Sequence, residues 1–123
     1  VKNAARIIAL GRAAFSVAYI AVPSRINESW LGQVQPGSKA DMLARSLAAR
    51  DLALSIGALI ALDDDDARPE LWFASHALAD ATDFASSVAL RGTLPDSGAR
   101  NGAITAGLSA VAAGTVAVLL ARS

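Results

Sequence analysis

The sequence predicts an all-α protein, a four-helix transmembrane bundle with a polar, charge-paired interior, in which residues 1–123 form one domain. Three observations lead there. First, 54% of the side chains are hydrophobic, only 18% are charged, and the mean hydropathy is +0.42; a soluble domain carries about 25% charged residues. Second, four apolar stretches of 19 to 21 residues alternate with polar punctuation. At about 1.5 Å per residue a helix of that length spans about 30 Å, the thickness of the hydrocarbon layer. Third, the charges inside these stretches recur at helical spacing, so each helix has one polar stripe and is otherwise apolar.

The first stretch runs from about Ala4 to Val22 and stops at Pro23. Lys2 and Arg6 stand ahead of the apolar run that opens at Ile7, as in a signal peptide. However, Arg12 interrupts the apolar run and Pro23-Ser24-Arg25 is a poor cleavage site, so a retained helix is expected. The connection that follows contains Asn27, Gly32, Pro36 and Gly37 and is long enough for a short interfacial helix, with Trp30 at headgroup level. The second stretch, Met42 to Leu62, is halted by the run Asp63 to Asp66. Pro69 then suits the first turn of the third, Glu70 to Leu90. Gly92, Pro95, Gly98 and Gly102 punctuate the last connection, and the fourth helix covers Gly102 to Ala121. None of the four shows period-two alternation, and all are rich in Ala and Leu, so they read as helices.

The fourth stretch weighs most. From Ala103 to Ala121 it holds no charge, whereas the surface helix of a soluble protein has a charged face. A chain of 123 residues has no layer thick enough to bury such a helix on all sides. Gly107, Ala110, Ala113 and Gly114 supply the small residues that let membrane helices approach closely.

Composition also excludes function classes. With 11 basic and 11 acidic side chains there is no basic surface for nucleic acid. With no Cys there is no disulfide framework or thiolate zinc site. No Gly-x-Ser-x-Gly elbow and no Gly-rich phosphate loop is present. Ser75 and His76 are sequence neighbours and point about 100° apart on a helix, so they do not form a nucleophile–base pair.

The candidate site is the set of charges that lipid would reject: Arg12, Arg45, Arg50, Asp51, Asp80 and Asp83. A charge at mid-bilayer costs about 2.5–3.5 kcal/mol, so these groups are expected to face one another. On the third helix His76, Asp80, Asp83 and Ser87 form one stripe. On the first, Arg12, Ser16 and Tyr19 do so. On the second, Ser46 and Arg50 share one face, and Asp51 and Ser55 the adjacent one. On the fourth, Asn101, Thr105 and Ser109 line up. Three arginines balance three aspartates, as burial demands.

Arg45, the run Ala49-Arg50-Asp51-Leu52 and Gly57 on the second stretch, with the acidic pair Asp80 and Asp83 on the third, resemble the DoxX-like superfamily of small four-span bacterial membrane proteins, in particular its actinobacterial branches. The resemblance covers nearly the whole chain and implies a four-helix bundle in the bacterial inner membrane. Some members are associated with quinone-linked oxidation of sulfur compounds or with redox-enzyme complexes. Without Cys, any thiol chemistry would lie elsewhere; fold and location carry over, and the activity does not.

Three functions fit these residues. The seam can bind a small amphipathic molecule, quinone or lipid-like, or a partner's helix, with Arg12, Tyr19, Arg45, Arg50, Asp51 and Trp72 as ligand-binding residues. It can serve a small membrane enzyme with Asp80 or Asp83 as general acid or base and His76 as proton relay. Or it can be a structural ion-pair network that sets helix register. Trp72, one turn before His76, would close the seam at the membrane boundary. A metal is not expected: His76, Asp80 and Asp83 have ligand spacing, but three facing arginines repel a cation, and Asp63 to Asp66 lacks the spacing and glycine of a calcium loop. No residue pattern names a cofactor. The partners expected are membrane lipid, a small amphipathic ligand, and a second copy or a membrane-complex subunit. Orientation is not set, because Lys2, Arg6, Arg68 and Arg122 on one side match Arg25, Lys39, Arg91 and Arg100 on the other.

Overall fold

A computed structural model describes residues 1–32 and 37–123. These residues form five α-helices and no strand: α1 Lys2–Ala21, α2 Pro23–Leu31, α3 Lys39–Leu62, α4 Pro69–Ala89 and α5 Asp96–Ala121. Four of them correspond to the four expected helices. The fifth, α2, occupies the first connection and carries Trp30, where a short helix was expected. Pro23 and Pro69 each stand in the first turn of a helix, where the missing N–H costs nothing. Pro36, expected to break the chain, lies outside the described residues.

All four long helices begin earlier than expected, α3 and α5 by the most. The α3 helix starts at Lys39, just after Ser38 at its N-cap. The α5 helix starts at Asp96, so Gly98 and Gly102 are helical and not connection breakers. Their role is close packing. A Cβ at Gly98 would overlap the Trp30 backbone carbonyl, and one at Gly102 would touch Ser87 and the Trp30 ring. Glycine there lets α2 lie directly on α5.

The α4 helix packs along α5 and α1 along α3, and the two pairs meet through α3 and α4. The α2 helix covers one end against α5, α3 and α1. At the other end Lys2 pairs with Asp65 at 3.5 Å and Arg6 with Asp63, tying the start of α1 to the α3–α4 connection. Near that end Ala5, Ala9, Ala58, Leu62, Phe73, Val116, Ala117 and Leu120 form an apolar core.

Burial follows an inside-out pattern. Of the five largest fully buried side chains, Phe73, His76, Asn27, Ser16 and Ser55, only Phe73 is apolar. Meanwhile Ile7 is 71% exposed and Leu108 68%. In water that arrangement discards much of the hydrophobic driving force, about 25 cal/mol per Å² of apolar surface.

Among the described residues two helices, α1 and α5, are long and apolar enough to cross a membrane, with mean hydropathies of 1.4 and 2.0. Of the four expected spans, α3 and α4 fall short of that apolarity. The seam is the reason. Arg50 and Asp51 on α3, and Asp80 and Asp83 on α4, lower the hydropathy of the very helices that carry the inward-facing charge, and the exposed Arg45 lowers that of α3 further.

Candidate functional site

The seam forms where α1, α3 and α4 face one another. Arg12 on α1 donates two parallel hydrogen bonds to Asp80 on α4, Nη1 to Oδ2 at 2.7 Å and Nη2 to Oδ1 at 2.9 Å. This bidentate fork is the strongest geometry an ion pair adopts. Arg12 also lies 3.7 Å from Asp51 on α3. Asp51 in turn accepts from Arg50 Nε at 3.0 Å, and Arg50 Nη2 reaches Asp83 on α4 at 3.0 Å. Five charged side chains from three helices thus form one chain of contacts.

The network is graded in depth. The Asp80 side chain is 7% exposed, whereas Asp83 and Arg50 are 33% and 34% exposed. The seam therefore opens sideways between α3 and α4, on a flank where Leu47 and Phe84 are exposed.

His76 lies beneath the network, fully buried, with its ring centroid 6.3 Å from that of Phe73. Its Nε2 is 3.5 Å from Ser55 Oγ. The Ser55 hydroxyl already donates to the Asp51 carbonyl at 2.7 Å, so Ser55 can only accept from Nε2–H. That assigns the tautomer and leaves Nδ1 as a bare acceptor; it has no partner among the described residues, and neither does Arg12 Nε. Buried polar atoms are nearly always hydrogen-bonded, so both are places for a polar guest. Among the described residues no group of three His, Cys, Asp or Glu side chains is placed to hold a metal ion.

Three expected site residues lie outside this network. Arg45 is exposed and donates from Nε to the Ile20 carbonyl at 3.2 Å. It sits five residues before Arg50, about 140° away around a helix, so the two cannot share the interior. The interior balance is therefore two guanidiniums against three carboxylates, not three against three. Tyr19 is partly buried and donates to Asn27 Oδ1 at 2.7 Å, not to a charge of the network. The Trp72 ring lies over Gly57 on α3, where an added Cβ would overlap it, and does not close the charged seam. Two polar stripes also fail to turn inward. Ser46 is exposed and bonds to the Met42 carbonyl. Asn101 and Thr105 are exposed, because α5 buries its Gly98, Gly102, Ala106 and Ala113 face instead. Arg12, Ser16, Arg50, Asp51, Ser55, His76, Asp80 and Asp83 do face inward, buried or partly buried.

A second polar cluster was missed. Asp41, at the start of α3, accepts from Ser24 Oγ at 2.8 Å, Gly37 N–H at 2.9 Å and Asn27 Nδ2 at 3.2 Å. The nearest signal in the sequence is Ser38-Lys39-Ala40-Asp41, the spacing of a capping box, but Ser38 only occupies the N-cap position and makes no side-chain cap, and Asp41 takes its donors from elsewhere. Asp41 immediately precedes the apolar stretch from Met42. The bonds from Ser24 and Gly37, helped by Asn27 and the charge of Arg45, outweigh desolvation and hold its carboxyl below the usual carboxylate range. A carboxyl depressed on folding stabilises the protein above its unfolded pKa of about 3.9, and that stabilisation is lost as pH falls through the folded value. The acid limb of a melting-temperature profile in detergent should therefore be shallower in Asp41→Asn than in the parent. Parallel acid limbs would show that Asp41 contributes nothing to acid unfolding.

No family model, curated protein or solved structure matches the chain.

Proposed function

We propose that the chain is a membrane-embedded bundle whose Arg12–Asp80 fork clamps α1 to α4, and whose lateral opening at Arg50 and Asp83 binds the polar head of a small amphipathic molecule. In this reading α1, α3, α4 and α5 all cross the bilayer, α3 and α4 with their charges turned to the seam. The setting is the one the DoxX-like resemblance implies, a bacterial inner membrane.

The observation that carries the reading is the opening itself. Two charged groups at mid-helix, each about a third exposed, interrupt a flank of exposed apolar side chains. In lipid such a patch attracts a molecule with a hydrogen-bonding head and an apolar body. His76 Nδ1 and Arg12 Nε give the interior unused hydrogen-bonding capacity behind it. The acid–base alternative has less support, because both Asp80 and Asp83 are already bonded to guanidiniums.

The test is native mass spectrometry of protein released from mild detergent. The parent is expected to retain a small molecule. Arg50→Leu combined with Asp83→Leu removes the opening's charges in a matched pair, leaves the Arg12–Asp80 fork, and should fold but emerge empty. A parent that is empty across several mild extractions, or a double variant that retains the same molecule, would refute the proposal.

A further inference from the structure

The two ends of the bundle use their charges differently. At the end formed by the start of α1 and the α3–α4 connection, three of four cations are matched within the chain, Lys2 with Asp65, Arg6 with Asp63, and Arg68 with Glu70, and Asp64 and Asp66 add further negative charge beside Arg122, which is unpaired among the described residues. At the opposite end α2 lies across the bundle, with Gly32 beside Pro95 and the Trp30 carbonyl against Gly98. The end of α1, the start of α3 and the α4–α5 connection therefore meet there. Arg25, Lys39, Arg45, Arg91 and Arg100 are all exposed at this end, and among the described residues none makes an ion pair. Its acids are fewer. Glu28 and Asp96 are exposed, and Asp41 is enclosed in its own hydrogen bonds. The even count of cations read from the sequence is broken by Arg45, which the structure brings to this end through the Ile20 carbonyl.

An open cleft between the end of α4 and the start of α5 sharpens the picture. Arg91 and Arg100 line it, with Asp96 and Ser87 as its acidic and hydroxyl components and Val88 and Ala103 as apolar ones. Directly along α5 from the cleft, Ile104 and Leu108 are exposed. A guest matching this surface has an anionic head for the guanidiniums and an apolar body for the α5 flank.

We propose that this end of the bundle binds the headgroup phosphates of anionic phospholipids, held between Arg91 and Arg100, with the acyl chains along α5. The inference rests on the membrane placement above and is independent of the seam ligand. Each cation near an anionic membrane surface strengthens the attraction roughly fivefold, so the opposite end, where five acids offset four cations, competes poorly.

Trp30 is a built-in reporter, because its ring and Ser87 of the cleft both lie beside Gly102, where an added Cβ would touch each of them. The chain has two tryptophans, so Trp72→Phe isolates it. The Trp72→Phe protein is reconstituted in phosphatidylcholine vesicles containing equal mole fractions of either brominated phosphatidylglycerol or brominated phosphatidylcholine. The phosphatidylglycerol should quench Trp30 several-fold more strongly at low salt, and the preference should shrink in high salt. It should also shrink when Arg91→Gln and Arg100→Gln are added, while quenching by brominated phosphatidylcholine stays unchanged. Equal quenching by the two lipids at low salt overturns the proposal. So does a preference that survives loss of both arginines. Protein that remains in the aqueous phase and is quenched by neither lipid overturns the membrane placement itself, a result distinct from equal quenching by both.

Discussion

Arg12→Met should destabilise the folded protein by about 3–5 kcal/mol, the cost of leaving one member of a buried ion pair without its partner. The partner left behind is Asp80, 7% exposed and bonded through both carboxylate oxygens to the lost guanidinium. Asp51, 3.7 Å away, loses part of its compensation as well. Arg50 cannot take over, since it is already bonded to Asp51 and Asp83. The diagnostic partner is the double variant Arg12→Met/Asp80→Leu. It removes both charges, replaces them with side chains of similar bulk, and should recover most of the loss, because a desolvated pair adds little over apolar packing. Denaturant or thermal unfolding in detergent measures both. If Arg12→Met cost under about 1 kcal/mol, the pair would be behaving as a surface bridge and the seam would be wet throughout.

The second large effect sets one chemical change against itself at two positions. Gly98→Ala should destabilise by about 1–3 kcal/mol, the usual range for forcing atoms into a packed site. Helix propensity alone predicts the opposite sign, since Ala is favoured over Gly by about 1 kcal/mol within a helix. Sterics win at Gly98 because the new Cβ meets the Trp30 carbonyl, which is backbone and cannot rotate aside. Relief requires α2 to lift from α5. Gly11→Ala on α1 is the control: an added Cβ there meets nothing within 4 Å. It should stabilise by about 0.4–1 kcal/mol through the unfolded chain's lost freedom. Melting temperatures of the two variants should move in opposite directions from the parent. A rise in both would mean that α2 is not seated on α5 as described.

Much of the candidate site could be read from spacing. His76, Asp80 and Asp83 lie on one face of α4 at i, i+4 and i+7, and all three turn inward. Arg12, Arg50 and Asp51 likewise join the interior, in the mutual pairing that their spacing and balanced charge led one to expect. What spacing left undecided was the choice between faces. On α3, Arg45 and Arg50 point in different directions, and only contact with α4 selects Arg50. On α5 a polar stripe competed with a stripe of small residues. The small residues were buried because they let α2 and α4 approach closely, so Asn101 and Thr105 faced outward. The Asp41 cluster was hidden for a related reason: two of its donors, Ser24 and Asn27, come from α2, which only the tertiary structure lays against the start of α3.

By itself the sequence determined that the chain is helical, that Pro69 starts a helix, and which residues share a helical face, because these depend on neighbours within a turn or two. The tertiary structure alone decided which face each helix buries, which arginine completes the seam, and where five unmatched cations gather. Those outcomes depend on surfaces brought together from distant parts of the chain. No local periodicity encodes which of two suitable faces will meet a neighbour that folds independently of it.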